Sequence, residues 1–135
     1  MSNLNKYDFV IYGATGFTGK LVVEYAINQY NNNNEISWAI AGRNNEKLEH
    51  IQEKYNLPSY IGKIIVDSND QNSIDEMVSQ TKCVLTTVGP YQLYGEKIIK
   101  TCVSSGTDYV DLCGEPGFMH KIISECSAEA KETGA

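Results

Sequence analysis

Short apolar runs and amphipathic stretches alternate along the whole chain. Residues 7–12, 36–41, 63–66, 82–88 and 109–112 are apolar runs rich in β-formers, the pattern of strands buried on both faces of a parallel sheet. Between and after them lie stretches with helical spacing. Residues 16–29 carry Leu21, Val22, Tyr25 and Ala26 on one expected inward face. Residues 45–55 carry Leu48 and Ile51, with Asn44 or Asn45 as N-cap and Pro58 beyond the end. Residues 70–79 present Ile74, Met77 and Val78, and residues 95–105 present Ile98, Ile99, Cys102 and Val103 before a stop at Gly106. Residues 118–132 place Met119, Ile122, Ile123 and Cys126 inward, with Gly134 as cap. Residues 1–6 read as a polar lead-in, and the asparagines at 31–34 as a solvated loop. Strands alternating with helices predict βαβ units around a parallel sheet.

The first strand runs into Gly13, Ala14, Thr15, Gly16, Phe17, Thr18 and Gly19 before a helix. A turn this tight needs a residue without Cβ, and close approach of backbone to a phosphate needs another. The free N–H groups of the helix start, aided by its dipole, can then hold an anion. Residues 13–19 therefore predict a dinucleotide site; the competing account is a strand–turn–helix whose glycines serve packing alone. The expected architecture is a three-layer α/β domain of Rossmann type, with about five parallel strands in the order 3-2-1-4-5.

That topology assigns candidate roles by position. The end of the second strand faces the adenosine ribose. No Asp or Glu stands there, and Arg43 follows Gly42, which favours NADP over NAD through pairing with the extra phosphate. The alternative leaves Arg43 as a solvated residue opening the next helix. Lys47 is a further source of positive charge. Asp67, ending the third strand, either meets the adenine amino group or caps the next turn. The fourth strand lies beside the first across the crevice, so Val88, Gly89 and Pro90 are expected to line the path to the nicotinamide, with Tyr91 shaping it. Glu115 supports substrate or a following domain, or else charges the N-terminus of the last helix.

Composition narrows the function classes. The 135 residues, 41% hydrophobic, fit one ordinary domain with a real core. A net charge of −6 without a basic run argues against a nucleic-acid surface. Cys83, Cys102, Cys113 and Cys126 form no C-x-x-C pair and no metal-ligand spacing with His50 or His120, so they read as reduced thiols of an intracellular protein and no metal site is assigned. No long apolar segment spans a bilayer and no signal-peptide pattern opens the chain, so cytosolic exposure is expected, with peripheral membrane attachment left open.

Taken together, residues 7–19, Ala41-Gly42-Arg43, Val88-Gly89-Pro90-Tyr91, Tyr94-Gly95-Glu96 and residues 109–115 (Tyr-Val-Asp-Leu-Cys-Gly-Glu) resemble the saccharopine dehydrogenase-like oxidoreductases over nearly the whole chain. The resemblance implies NAD(P)-dependent oxidoreduction, with residues 13–18 as the phosphate loop and Arg43 at the adenosine ribose. It also implies relatives in lysine metabolism and lipid-linked enoyl reduction, and association of animal-type members with membranes and lipid droplets. Members of that family are about three times longer, continuing into a sixth strand and a second domain that supplies most of the substrate pocket. The expectation is accordingly a cofactor-binding domain: a fragment of a longer protein, or a naturally shortened copy. Short-chain dehydrogenases and isoflavone-reductase-like proteins share the glycine spacing, but their Tyr-x-x-x-Lys pair has no counterpart; Tyr60 and Tyr94 have lysine three residues on, at Lys63 and Lys97. No catalytic residue and no particular small-molecule substrate is assigned. The alternative function class is a non-catalytic dinucleotide-binding or protein-interaction module, self-associating through an apolar fifth-strand edge.

Overall fold

The computed structural model describes residues 5–31 and 35–135. In chain order its elements are β1 (Phe9–Tyr12), α1 (Phe17–Tyr30), β2 (Trp38–Gly42), α2 (Asn45–Lys54), β3 (Gly62–Ile65), α3 (Gln71–Ser79), β4 (Cys83–Thr86), α4 (Tyr91–Tyr94), α5 (Glu96–Ser105), β5 (Asp108–Val110) and α6 (Pro116–Thr133). The sheet runs β3-β2-β1-β4-β5 with every pairing parallel, the order expected from the sequence. Ile11 at the centre of the sheet registers with Ile40 on one side and Leu85 on the other.

Alternation along β1 divides the core into two layers. Val10 and Tyr12 join Ile74 and Met77 of α3 and Ile98 and Cys102 of α5 on one face. Ile11 joins Val23, Ala26 and Ile27 of α1 and Leu48 and Ile51 of α2 on the other. Ile11 is fully buried, which stabilises the fold by about 1.5–3 kcal/mol relative to exposure. Trp38 stacks on Phe9 at 5.7 Å between ring centroids. A third cluster of Tyr91, Ile99, Val103, Phe118 and Cys126 fastens α6 to α5.

The helix faces differ from expectation in two places. In α1 the buried residues are Gly19, Val23, Ala26 and Ile27, while Leu21 and Tyr25 point to solvent. In α6 Phe118 and Cys126 are buried, whereas Met119 and Ile123 are exposed. Both helices carry apolar residues on adjacent stripes, so spacing alone did not choose between them; packing against the sheet did. The strands are also shorter than their apolar runs. Tyr7 contributes a single bridge to Thr81 ahead of β1, and Leu112 lies past β5, exposed. The one-turn helix α4 was not anticipated, and the Gly89–Pro90 peptide ahead of it is cis. Residues 1–4 of the polar lead-in and 32–34 of the asparagine loop lie outside the described residues.

Candidate functional site

The carboxyl ends of β1, β2 and β4 open into one cleft of about 270 Å³. Its lining brings together Gly13, Thr15 and Gly16 of the first loop, Gly42 and Arg43 after β2, and Val88 and Gly89 after β4. These come from three separate stretches of sequence, and each was expected at a nucleotide site. A larger groove of about 600 Å³ between α3, α5 and α6 includes Gln71, Lys97, Lys100 and Glu125 and shares no lining residue with the cleft. The smaller cleft sits where ligands bind in open α/β sheets.

Two glycines make the first loop possible. Gly13 stands at φ +89°, and a Cβ there would come within 2.6 Å of Thr87 Oγ1 and 2.8 Å of Val88 Cγ2. A Cβ on Gly19 would overlap the Gly13 carbonyl, which is backbone and cannot swing aside. The loop is pinned by the Gly13 and Ala14 N–H groups donating to Ala41 O (3.0 and 3.2 Å) and by Gly16 N–H donating to Gly13 O (3.0 Å). Ala14 is buried as part of this anchor. Gly16 caps α1 with no side-chain acceptor, and no acidic residue occupies the first turn. The N–H groups of Phe17, Thr18 and Gly19 therefore have no helical partner and add to the positive end of the helix dipole. The Phe17 side chain itself is 85% exposed.

Arg43 lies exposed on the cleft rim directly after β2. Asn44 caps α2 by accepting the Lys47 N–H at 3.0 Å, which sets that helix against the rim. Lys47 and Lys20 share a neighbouring hollow with Thr15 and His50. Asp67 sits one residue before the cleft: its carboxylate accepts the Asn69 N–H at 2.9 Å, the turn-capping role, and Ser68 is the residue that reaches the lining. Pro90 follows Gly89 just outside the lining and provides the N-cap position of α4.

Tyr12, Ser68, Thr87 and Tyr94 also line the cleft and were not foreseen as site residues. Tyr12 ends β1 and Thr87 directly follows β4, so a polar residue closing a strand was the signal available. Burial pushes the Tyr12 phenol above its ordinary range, and hydrogen bonding with Ser68 partly opposes this. Thr87 Oγ1 donates to the Tyr12 and Gly13 carbonyls, both at 3.3 Å, joining β4 to the glycine loop. Tyr91, expected to shape the pocket, is buried beneath it, donating to Thr86 O at 3.1 Å. Glu115 neither faces the cleft nor caps α6; it accepts from the Tyr91 and Gln92 N–H groups at 2.6 and 3.2 Å. The four cysteines are unpaired, and burial pushes the Cys102 thiol up to about 12.

A family model described as the saccharopine dehydrogenase NADP binding domain matches residues 9–135. The chain is 41% identical to a "Lipid droplet localized protein" of Caenorhabditis elegans over 97% of its own length and 32% of that protein. It is 38% identical to a saccharopine dehydrogenase-like oxidoreductase of Mus musculus over 95% of its own length and 32% of that protein. Among solved structures, apo saccharopine dehydrogenase of Saccharomyces cerevisiae superposes with a TM-score of 0.64 at 16% identity, covering 84% of this chain and 23% of that one. The chain thus spans about a third of the length of these curated relatives. With the glycine loop, the open helix end and the basic rim in one cleft, and the family match running from β1 to the final residue, the chain belongs to the saccharopine dehydrogenase NADP-binding domain family.

Proposed function

We propose that this chain is the cofactor-binding part of an NAD(P)-dependent oxidoreductase, preferring NADP, and that the wider protein acts on a small molecule. The observation that carries the reading is the convergence of three strand ends on one cleft whose first loop has room for backbone alone. In this reading the amides of residues 13–19 hold the pyrophosphate. Arg43 pairs with the ribose phosphate of NADP, with Lys47 adding charge nearby. Asp67 flanks the adenine end through its turn, and Val88, Gly89 and Pro90 wall the nicotinamide end. A bound nicotinamide supplies hydride transfer. The residues named here bind and orient it, and none is assigned a proton-transfer role.

The test is a titration of the purified chain with NADPH and NADH, followed by nicotinamide fluorescence, alongside Arg43→Ala. Tighter NADPH binding that is lost in the variant supports the reading. Failure to bind either nucleotide would overturn it and leave a non-catalytic interaction module as the better account.

A second proposal concerns placement. The name of the C. elegans relative motivates peripheral association with lipid droplets from an intracellular location, and Leu112 after β5 and Met119 and Ile123 on α6 offer exposed apolar side chains. Among the described residues no helix is long and apolar enough to cross a membrane. Flotation with phospholipid-coated oil droplets, comparing the chain with Leu112→Ser/Ile123→Ser, tests it: co-flotation lost in the variant supports the proposal, and no co-flotation refutes it for this domain. The same apolar positions would serve self-association, which sedimentation of the two proteins would reveal.

A further inference from the structure

We infer that Glu115 is a positioning residue for the nicotinamide half of the cleft, holding in place, through the first turn of α4, the wall formed by Val88 and Gly89. The inference rests on the nucleotide reading above and goes beyond it by assigning a residue outside the cleft.

Glu115 stands at the N-cap position of α6 yet gives that helix no side-chain cap. Its carboxylate crosses instead to the segment after β4. The Tyr91 N–H donates to Oε2 at 2.6 Å and the Gln92 N–H to Oε1 at 3.2 Å. These are consecutive amides in the first turn of α4, where no helical acceptor is available. Using both oxygens of one carboxylate makes the pair charge-assisted and fixes its direction. A second tie runs the opposite way: the Leu112 N–H donates to the Tyr91 hydroxyl at 3.4 Å, and that hydroxyl donates to Thr86 O at 3.1 Å. The Tyr91 ring is buried among Ile99, Val103 and Phe118. The loop after β5 therefore grips α4 by its backbone and by its buried side chain.

What this grip controls is one side of the cleft. Val88 and Gly89 precede the clamped turn, and both line the cleft. Gly42 and Arg43, which follow β2, receive no hydrogen bond from Glu115 or Tyr91. Loss of the clamp should loosen the nicotinamide wall and spare the adenosine wall. A general loss of stability would weaken both.

The experiment is calorimetric titration of wild type, Glu115→Ala and Glu115→Gln with two probes: NADPH, and the adenosine fragment 2′,5′-ADP. Wild type is expected to bind both. Glu115→Ala should weaken NADPH about tenfold and keep the fragment within about twofold, the loss corresponding to one charge-assisted hydrogen bond. Glu115→Gln, with one acceptor oxygen in place of two, should fall between. Equal weakening of both probes, or no weakening of NADPH, would overturn the inference. If Glu115→Ala does not fold, the same split in Glu115→Gln decides the matter. A wild type that binds neither probe removes the nucleotide reading and this inference together. A wild type that binds both, with an indifferent Glu115→Ala, removes the inference alone.

Discussion

The two sides of the cleft are built by different means. On the proposed adenosine side, β1, the glycine loop, α1 and β2 follow one another in the chain, and the loop is shaped by backbone against backbone: Gly13 and Ala14 on Ala41, Gly16 on Gly13. On the proposed nicotinamide side, the wall after β4 is held by residues far along the chain. Glu115 reaches back 23 and 24 residues to Gln92 and Tyr91, and Leu112 reaches back 21 to the Tyr91 hydroxyl. A backbone-coded wall depends on a few positions where no Cβ fits. A side-chain-coded wall depends on a long-range pairing that only the folded chain creates.

The sharpest break of this comparison is Gly19→Ala. The added Cβ meets the Gly13 carbonyl and the Ala14 Cα, both backbone, so relief requires the loop to move. We expect a loss of about 1–3 kcal/mol in chemical denaturation, the range of overpacking, and loss of measurable NADPH binding. A variant that binds normally would show that the loop is not shaped by this contact. Next in size is Arg43→Ala, expected to weaken NADPH about ten- to a hundredfold while leaving NADH nearly unchanged, as removal of a charged partner for a phosphate should. Equal effects on the two nucleotides would remove Arg43 from the ribose end.

On the other side, Tyr91→Phe deletes the hydroxyl that links Thr86 and Leu112. The expected cost is about 1–2 kcal/mol of stability, since the part-buried Leu112 N–H and the buried Thr86 carbonyl each lose a partner. NADPH should weaken severalfold with 2′,5′-ADP unaffected. If this variant weakened the fragment as well, the two sides would not be independent.

These variants also show what was legible in the sequence. The placement of Gly13, Gly16 and Arg43 in the cleft was legible because it is local: strand, turn and helix follow one another, and the strand order 3-2-1-4-5 then places the remaining strand ends. Asp67 was readable only as a choice, and it is the turn-capping alternative that its bond to Asn69 displays. Glu115 was singled out, as support for substrate or a following domain or as a helix-start charge, but its bonds to α4 were not readable. Its sequence position says helix start, and only the nearness of two loops in space reveals the carboxylate on α4. The outward face of α6 was missed for a related reason. Ile123 and Met119 keep helical spacing with Ile122, but α6 turns Phe118 and Cys126 toward α5.

The smallest expected effect is that of pH on the join between α5 and α6. Lys100 first, then Lys121, hold the Glu96 carboxyl down at about 2, and Lys100 also meets Glu125 at 3.1 Å. A carboxyl depressed in the folded state stabilises above its unfolded value, here 4.5, and that contribution is lost as pH falls from there through about 2. These are exposed pairs, so the slope should be shallow and fade with salt. Thermal melts between pH 5.5 and pH 2.5 should show Glu96→Gln with a flatter decline than wild type; identical slopes would mean the pairs contribute nothing to stability.

The central claim is that the nucleotide lies across both walls of this one cleft. Its most direct test is amide-resolved NMR of the isotope-labelled chain during titration with NADPH. The account predicts shifts concentrated at residues 13–19, at Gly42 and Arg43, and at Thr87, Val88 and Gly89. Shifts centred instead on the larger groove of Gln71, Lys97, Lys100 and Glu125, or confined to one wall, would contradict it.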